Sequence, residues 1–174
     1  MFYENWMSYI KDDAKLTNIA IPGSHNAGTR GMVALARCQN GTLPEQYCYG
    51  VRKFGIRIKA GRNGKLYIAH GLAKGITADE AFRELGSIVD KYDDFMILDI
   101  RTYPGQGIGP FRFEYSSDPK EIDALIANYL KPEKYALTDF DDIKNVTLGD
   151  IRHEGKKYII LSSKKEYEYS CDCQ

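Results

Sequence analysis

Two of the three histidines in the chain follow short apolar segments. His25 comes soon after the segment Leu16–Ile21, and His70 lies near the end of the segment Lys65–Gly71. Arg57 falls between them in another apolar segment. Two imidazoles and a guanidinium can together cleave a phosphodiester. One imidazole takes a proton from the attacking oxygen, the other protonates the leaving oxygen, and the guanidinium neutralises the phosphate.

The segments that carry these side chains have the pattern of strands. Leu16–Ile21 alternates apolar and polar residues before Pro22 and Gly23, which we expect to end the strand. Val51–Ala60 is predicted as the second strand and Lys65–Gly71 as the third, with a "GRNG" turn between them. In parallel α/β folds the carboxyl ends of strands meet at one edge, so we expect His25, Arg57 and His70 to converge there.

The rest of the chain alternates between helix and strand patterns. Apolar residues at helical spacing follow Thr77 as N-cap, and a second helix begins at Asp118 and Pro119. Phe95–Arg101 and Lys157–Ser163 are predicted as buried strands. This order predicts an α/β fold with a parallel sheet or barrel, in a single domain over residues 1–174.

Composition excludes several classes of partner. The 24 basic and 24 acidic residues balance, and no basic tract exists, so a nucleic-acid partner is not expected. No apolar run approaches the roughly 20 residues that span a bilayer. The start, "MFYENWMSYIKDD", lacks the pattern of a signal peptide. We therefore expect either a cytosolic protein or a mature form whose signal has been removed.

The four cysteines leave two interpretations open. Cys38 and Cys48 flank one loop and form either a disulfide, which would favour an exported protein, or a pair of reduced, partly buried thiols. Cys171 and Cys173 form a C-x-C sequence that binds metal or consists of free thiols.

Five motifs occur in the order and at about the spacing of the catalytic X region of phosphatidylinositol-specific phospholipases C. The chain most resembles the bacterial type of this family, from Leu16 to about Ser163. The motifs are "LTNIAIPGSHNAGT", "CQNGTLPEQYCYGVRKFGIR", "LYIAHGL", "TADEAFRELGSIVDKYDDFMILDIR" and "TLGDIRHEGKKYIIL".

The resemblance implies a TIM-barrel-like fold and a phosphoric diester hydrolase or lyase. His25 would be the general base that lets the inositol 2-hydroxyl attack phosphorus, and His70 the general acid that releases diacylglycerol. Arg57 falls where metal-independent members carry a phosphate-binding arginine. The substrate would be phosphatidylinositol or its glycosylated form, reached by transient contact with a membrane surface, and the protein would be secreted or at the cell surface. A cytoplasmic location is the alternative.

The resemblance also bears on metal binding. Asn26 matches a metal ligand of calcium-dependent relatives, but Gly55, Arg57 and Arg101 stand at the other matching positions. Because hard cations prefer several oxygen ligands, we expect no metal and no cofactor. Asn26 would then hydrogen-bond near His25 or toward the phosphate. Gly55 replaces a carboxylate that family members carry, so we expect Arg57 to lose a charged neighbour that orients it.

Two further strand-end residues are candidates. Asp99 either faces the site or is a satisfied structural carboxylate, and Arg101 is either a second phosphate contact or a surface arginine. His153 lies in a charged segment and receives no role. The aromatic segment 103–115 is a candidate for contact with lipid, although core packing is the favoured use for at least one of Phe111 and Phe113.

The chain is short for a complete barrel. Such barrels need about 250 residues, and the pattern shows five strands, which would be the amino-terminal part. We therefore expect a barrel truncated at its C-terminal end, or one that a missing segment or second chain completes. Two alternatives to an active phospholipase are an impaired lipid- or phosphosugar-binding module and a glycerophosphodiester phosphodiesterase-like enzyme.

Overall fold

The fold was analysed in a computed structural model, which describes residues 3–102, 107–108, 111–112, 117–162 and 167–172; residues 107–108, 111–112 and 172 are described by their backbone alone. Seven strands form the main sheet and two form a small hairpin. In chain order the strands are β1 (Gly23–Ser24), β2 (Lys53–Ala60), β3 (Leu66–His70), β4 (Ala73–Thr77), β5 (Met96–Thr102), β6 (Gly107–Ile108), β7 (Phe111–Arg112), β8 (Tyr158–Ser162) and β9 (Ser170–Asp172).

The main sheet has the order β4-β3-β2-β5-β8-β9, with β1 beside the start of β2. Strands β1, β2, β5, β8 and β9 are parallel to one another, whereas β3 and β4 run antiparallel to their neighbours. Strands β4 and β9 stand at opposite ends of this order, so the described sheet is an α/β sheet that does not close into a barrel.

Strand β2 separates an apolar face from a polar one. Phe54, Ile56 and Ile58 are fully buried on one side. Paired residues of neighbouring strands point to the same side of a sheet. The pairing of Gly55 with Asp99 and of Arg57 with Arg101 therefore places the candidate residues of β2 and β5 together on the other side. We call this side the polar face.

In the described ranges five α-helices accompany the sheet: α1 (Leu43–Cys48), α2 (Ala78–Lys91), α3 (Pro119–Leu130), α4 (Pro132–Tyr135) and α5 (Leu148–His153). The apolar stripe of α2, which includes Phe82, Leu85 and Val89, is buried in the same core as the apolar face of β2. Both predicted helices are confirmed with their caps. The Thr77 hydroxyl accepts from the Glu80 amide at 3.1 Å, and the Asp118 carboxylate accepts from the Lys120 amide at 3.0 Å.

A second apolar cluster covers the start of β5. It contains Met7 and Leu16 from the amino-terminal segment, Phe95 before β5, Ile151 from α5, and Ile159 from β8. The residues that precede β1 therefore pack as a plug near the amino-terminal ends of the parallel strands.

The strand predicted over Leu16–Ile21 is wrong. Leu16–Asn18 form a 3₁₀ turn, and Leu16, Ile19 and Ile21 pack against the second apolar cluster instead of pairing in the sheet. Pairing begins where we expected the strand to end, because the Pro22 carbonyl accepts from the Arg52 and Lys53 amides. His25 nevertheless follows directly after a strand, the two-residue β1.

The other predicted strands are confirmed, with two additions and one change of direction. Strand β3 is confirmed as a strand, but it runs antiparallel to β2. After β3 the chain reverses to form a hairpin with β4, which the sequence pattern did not predict. Strand β9 in the tyrosine-rich tail was also missed. The aromatic segment 103–115 lies outside the described residues apart from the backbone of β6 and β7, so its predicted lipid contact stays a prediction.

The disulfide interpretation of Cys38 and Cys48 is wrong, because both are free thiols with different neighbours. The sulfur of Cys48 lies 3.4 Å from the Tyr92 hydroxyl, and the sulfur of Cys38 lies 3.5 Å from the Asn26 amide nitrogen. The sulfur of Cys171 lies 3.7 Å from the Leu137 carbonyl oxygen, and Cys173 lies outside the described residues. Among the helices in the described ranges, none has the length and apolar character needed to cross a membrane.

Candidate active site

Arg57 and Asn26 are joined by a hydrogen bond on the polar face. The Nε of Arg57 donates to Oδ1 of Asn26 at 2.8 Å. Asn26 is 1% exposed and its φ of 49° lies in the left-handed region that asparagine tolerates better than most residues. Within the described ranges, the two terminal nitrogens of Arg57 have no hydrogen-bond partner. The guanidinium is thus oriented through one nitrogen and has its other donors available to a ligand.

His25 projects from a tightly fixed backbone. The buried Ser24 before it donates through its hydroxyl to Oε1 of Gln46 at 2.5 Å, and Nε2 of Gln46 donates to the Ala27 carbonyl at 2.8 Å. Gln39 also donates from Nε2 to the His25 carbonyl at 3.2 Å. The His25 residue itself is exposed. Helix α1, through Gln46, therefore holds the turn while the imidazole faces solvent.

Gly55 lets this turn lie against β2. The Ala27 amide donates to the Gly55 carbonyl at 2.9 Å, and a Cβ at Gly55 would lie only 3.3 Å from the Ser24 carbonyl oxygen. We expected the absence of a carboxylate here to deprive Arg57 of a charged orienting neighbour. A neutral side chain, that of Asn26, holds Arg57 instead.

His70 is fixed through one ring nitrogen. Its Nδ1 lies 2.8 Å from the Ala36 carbonyl oxygen. Because a carbonyl can only accept, Nδ1 must carry the hydrogen, which leaves Nε2 for proton transfer. The next residue is tied to β2, since the buried Lys59 donates from Nζ to the Gly71 carbonyl at 2.8 Å. His70 is therefore positioned by the loop before α1 and by β2.

Asp99 and Arg101 form a second polar group on the neighbouring strand. Arg101 donates from Nε to Oδ1 of Asp99 at 2.8 Å and from Nη2 to Oδ2 at 3.2 Å. Nζ of Lys53 lies 3.8 Å from the same carboxylate. Asp99 therefore lies on the polar face and is also paired with cations. The two alternatives that the sequence left open, a carboxylate at the site and a satisfied structural carboxylate, each describe part of its environment.

The loop between β1 and α1 is anchored to α2 by charge. Nη2 of Arg30 lies 2.5 Å from a Glu80 oxygen and 2.6 Å from a Glu84 oxygen. Glu84 also accepts from the Leu43 amide at 2.9 Å, so one carboxylate fixes both the loop and the first residue of α1. This ion-pair network stabilises the loop that carries Ala36 and Cys38.

The charge of the polar face suits an anion. The portion of β2 and β5 on this face carries four cations and one carboxylate, Asp99; the cations are Lys53, Arg57, Lys59 and Arg101. Across the described residues, no group of three or more His, Cys, Asp or Glu side chains could hold a metal ion. The arrangement can therefore bind a phosphate through guanidinium and ammonium groups.

The structure brings four of the six predicted site residues into one group and places the other two beside it. His25 and Asn26 are consecutive, Asn26 contacts Arg57, and Cys38 contacts both Asn26 and His70. Asp99 and Arg101 lie on the adjacent strand. A cavity of ≈ 530 Å³ lies elsewhere: its wall contains Leu66 and Leu125 and none of the six.

Sequence reasoning missed two residues of this group. Lys59 could have been found, because it continues the alternation of polar residues that contains Gly55 and Arg57 along β2. Cys38 carried no such signal. Its contact with His70 joins a loop residue to the last residue of β3, 32 positions away, and only the folded chain shows it.

The fold and the site together define a class: a mixed, mainly parallel α/β sheet of the TIM-barrel type, with two histidines, an arginine and an asparagine on loops and strands at one side. No protein-family profile matches the chain. A curated relative, the 1-phosphatidylinositol phosphodiesterase of Staphylococcus aureus (strain Newman), is 31% identical over 123 residues, which are 67% of this chain and 36% of that protein.

Solved structures show the same fold. A variant of the phosphatidylinositol-specific phospholipase C from Staphylococcus aureus aligns with a TM-score of 0.68 at 21% identity, over 92% of this chain and 52% of that one. The Listeria monocytogenes enzyme aligns with a TM-score of 0.64 at 21% identity, over 93% of this chain and 57% of that one. The chain belongs to the bacterial phosphatidylinositol-specific phospholipase C family and spans about half the length of these solved relatives. The open sheet therefore corresponds to part of a TIM-barrel-like fold.

Proposed function

We propose that this chain carries the catalytic half of a phosphoric diester lyase that cleaves phosphatidylinositol, or its glycosylated form, to diacylglycerol and a cyclic inositol phosphate. The observation that carries this proposal is the contact chain that joins Arg57, Asn26 and His70 next to His25. It supplies a cation for the phosphate and two imidazoles for proton transfer in one group, on a member of this family.

The proposed reaction needs one proton acceptor and one donor. The exposed His25 takes the proton of the inositol 2-hydroxyl as that oxygen forms a bond to phosphorus. His70, protonated on both nitrogens, gives the Nε2 proton to the glycerol oxygen as its bond to phosphorus breaks. The Nδ1 contact with Ala36 keeps Nε2 as the transferring nitrogen. The two histidines thereby exchange charge states in each turnover.

Arg57 would stabilise the charge that develops on the phosphate. Asn26 fixes its Nε, so the two terminal nitrogens can donate to phosphate oxygens without reorganisation. Arg101 lies on the neighbouring strand, where Asp99 holds it, and would be a second contact with the phosphate. Because cations occupy the polar face, we propose that the enzyme needs no metal: guanidinium takes the place that calcium holds in other members.

A lipid substrate requires contact with a membrane surface, and exposed apolar residues near His70 support this. Val33 is 70%, Leu35 100% and Leu72 70% exposed. The loop containing Val33 and Leu35 meets the turn containing Leu72 through the Ala36–His70 hydrogen bond. Insertion of these side chains into the interface would place the headgroup beside the candidate site.

The chain matches part of the barrel of its relatives, and two ways of completing it remain proposals. A further segment or a second chain would pair with the edge strand β9 and cover the polar face. We also propose that the described residues belong to one X-like domain. The location, secreted or at the cell surface, is likewise a proposal from the family resemblance.

Cleavage of phosphatidylinositol in mixed micelles, followed by ³¹P NMR with and without chelator, tests the proposal. We expect a cyclic inositol phosphate at the same rate in both. Loss of the product with chelator, and its return with calcium, would overturn the metal-free mechanism. Metal-dependent cleavage of a water-soluble glycerophosphodiester would favour the glycerophosphodiester phosphodiesterase class. Binding of phosphatidylinositol vesicles with no turnover would favour an impaired binding module.

A further inference from the structure

Cys38 lies between two residues of the candidate site. Its Sγ is 3.5 Å from Nδ2 of Asn26 and 3.6 Å from Nδ1 of His70. No other described side chain is hydrogen-bonded to the Asn26 side chain and also in contact with the His70 ring. The sulfur therefore connects the part of the site that contains Arg57 and Asn26 with the part that contains His70.

The donors and acceptors along this contact chain fit in only one direction. Arg57 can only donate, so the Asn26 oxygen must face it and the Asn26 NH₂ group must face the sulfur. The sulfur accepts from Asn26, while its own hydrogen can reach the Ala36 carbonyl at 3.9 Å. The Ala36 carbonyl also accepts from His70. Arg57 thus fixes the amide, the amide fixes the thiol, and the thiol and His70 share one carbonyl.

The position of Cys38 is itself fixed by the fold. Its backbone amide donates to the hydroxyl of Thr29 at 3.0 Å, and that hydroxyl donates to the Asn26 carbonyl at 2.8 Å. Thr29 is fully buried. The same buried hydroxyl therefore anchors the backbone of both Asn26 and Cys38, and their side chains meet as a consequence.

The size of sulfur matters for this role. Contacts of 3.5 Å and 3.6 Å lie within reach of a sulfur atom, but they are too long for hydrogen bonds to a hydroxyl oxygen. A serine at this place could bond to one neighbour by moving, but it could not contact both. Cysteine is thus the small polar residue that spans the gap between Asn26 and His70.

We propose that Cys38 is a positioning residue of the candidate site, which couples the Arg57–Asn26 pair to the ring of His70. The proposal rests on the proposed function for its catalytic meaning, but the coupling is a property of the folded chain. When a phosphate engages Arg57, the coupling carries that change through Asn26 and the sulfur to the proton donor.

The test is a cycle of variants read by NMR of imidazole nitrogens in ¹⁵N-histidine-labelled protein. Asn26→Gly, which keeps the left-handed backbone accessible, is made with Cys38 present and with Cys38→Ala. We expect Asn26→Gly to shift the His70 ring nitrogens when Cys38 is present and to leave them in place when Cys38 is replaced. An equal shift in both backgrounds, or none in either, would overturn the proposal.

Kinetics supply a second readout, with Cys48→Ala as the matched control because Cys48 contacts Tyr92 rather than the site. Cys38→Ala should lower kcat about tenfold with KM unchanged, as expected when a reacting group loses its orientation. The kcat of Cys38→Ser should fall between those of Cys38→Ala and the wild type, and the kcat of Cys48→Ala should match the wild type. A wild-type kcat for Cys38→Ala would contradict the positioning role. If no variant or wild type turns over phosphatidylinositol but the NMR cycle shows the coupling, the proposed function fails and the coupling stands.

Discussion

Two arginines five positions apart meet opposite environments. Arg52, just before β2, is fully buried, and its guanidinium donates to carbonyls of Tyr3, Glu4, Tyr47 and Val51 and to the carboxylate of Asp94. Arg57, within β2, makes a single described hydrogen bond through Nε. The first arginine uses its donors to hold the fold together, and the second keeps most of its donors for a ligand.

The surroundings of the two residues extend this contrast. Arg52 stacks 3.6 Å from the centre of the Tyr47 ring, and burial raises the pKa of Tyr47 above its ordinary value. The amino-terminal segment closes over this end, where Asp94 also accepts from the Met7 amide. The end with Arg57 instead presents cations, an exposed imidazole and apolar loops. Stability is therefore concentrated at one end of the strands and ligand-binding capacity at the other.

Replacement of Arg52 should produce the largest loss of stability. Arg52→Leu leaves the Asp94 carboxylate, whose side chain is 7% exposed, without its cation, which costs about 3–5 kcal/mol. Arg57→Leu should lower the free energy of unfolding by less, about 1–2 kcal/mol, because Arg57 makes one described polar contact and its loss leaves only the buried Asn26 oxygen unpaired. Urea unfolding of the two variants measures the difference. Equal losses would remove the contrast between the two ends.

Substitution of Asn26 should lower stability less than substitution of Arg52, through lost contacts and through backbone strain. Asn26→Gly keeps the backbone at a φ of 49° accessible but loses the contacts with Arg57 and Cys38, at a cost of about 1–2 kcal/mol. Asn26→Ala should lose roughly a further 1 kcal/mol because alanine is strained in the left-handed region. Thermal unfolding compares the two variants. If alanine proves as stable as glycine, the left-handed backbone is not a constraint here.

Acid should have the smallest effect on stability. It acts through the capping box of α1, in which Thr42 and Glu45 each bond to the other's backbone amide. Hydrogen bonds from the backbone and hydroxyl of Thr42 lower the pKa of Glu45 below its usual value of 4.5. A carboxylate with a lowered pKa in the folded state stabilises the protein above the unfolded value, and this contribution is lost as the pH falls through the folded pKa.

The measurement is urea unfolding at neutral pH and below pH 4.5, with Glu45→Gln as the variant. The difference in stability between wild type and variant should shrink in acid. The equivalent box of α5 serves as a control, since hydrogen bonds from Thr147 lower the pKa of Asp150 in the same direction. A difference that stays constant with pH would mean that the Glu45 charge does not stabilise α1.

Local signals predicted the elements that local contacts determine. Helix α2 was predicted because Thr77 caps it and its apolar stripe repeats at helical spacing. Strands β4 and β9 were missed because both are short edge strands, of five and three residues, that pair with only the strand just before them in the chain. Leu16–Ile21 was misassigned because its apolar residues pack in a cluster, and such packing can imitate strand alternation.

The site followed the same rule. The residues on or beside strands, His25, Arg57 and Asp99, were found because strand ends carry a recognisable pattern. The partner that orients Arg57 and the residue that links Asn26 to His70 could not be inferred, because both depend on how the loop between β1 and α1 folds over β2.

The central claim is that the end of the strands near Arg57 performs acid-base catalysis, and His25 tests it most directly. His25→Ala should abolish phosphatidylinositol cleavage, lowering kcat at least about 10³-fold while the unfolding midpoint stays unchanged. The matched control is His153→Ala, which replaces the exposed histidine of α5 and should retain the wild-type rate. Wild-type turnover by the folded His25→Ala variant would contradict the assignment of the base and the account of this site.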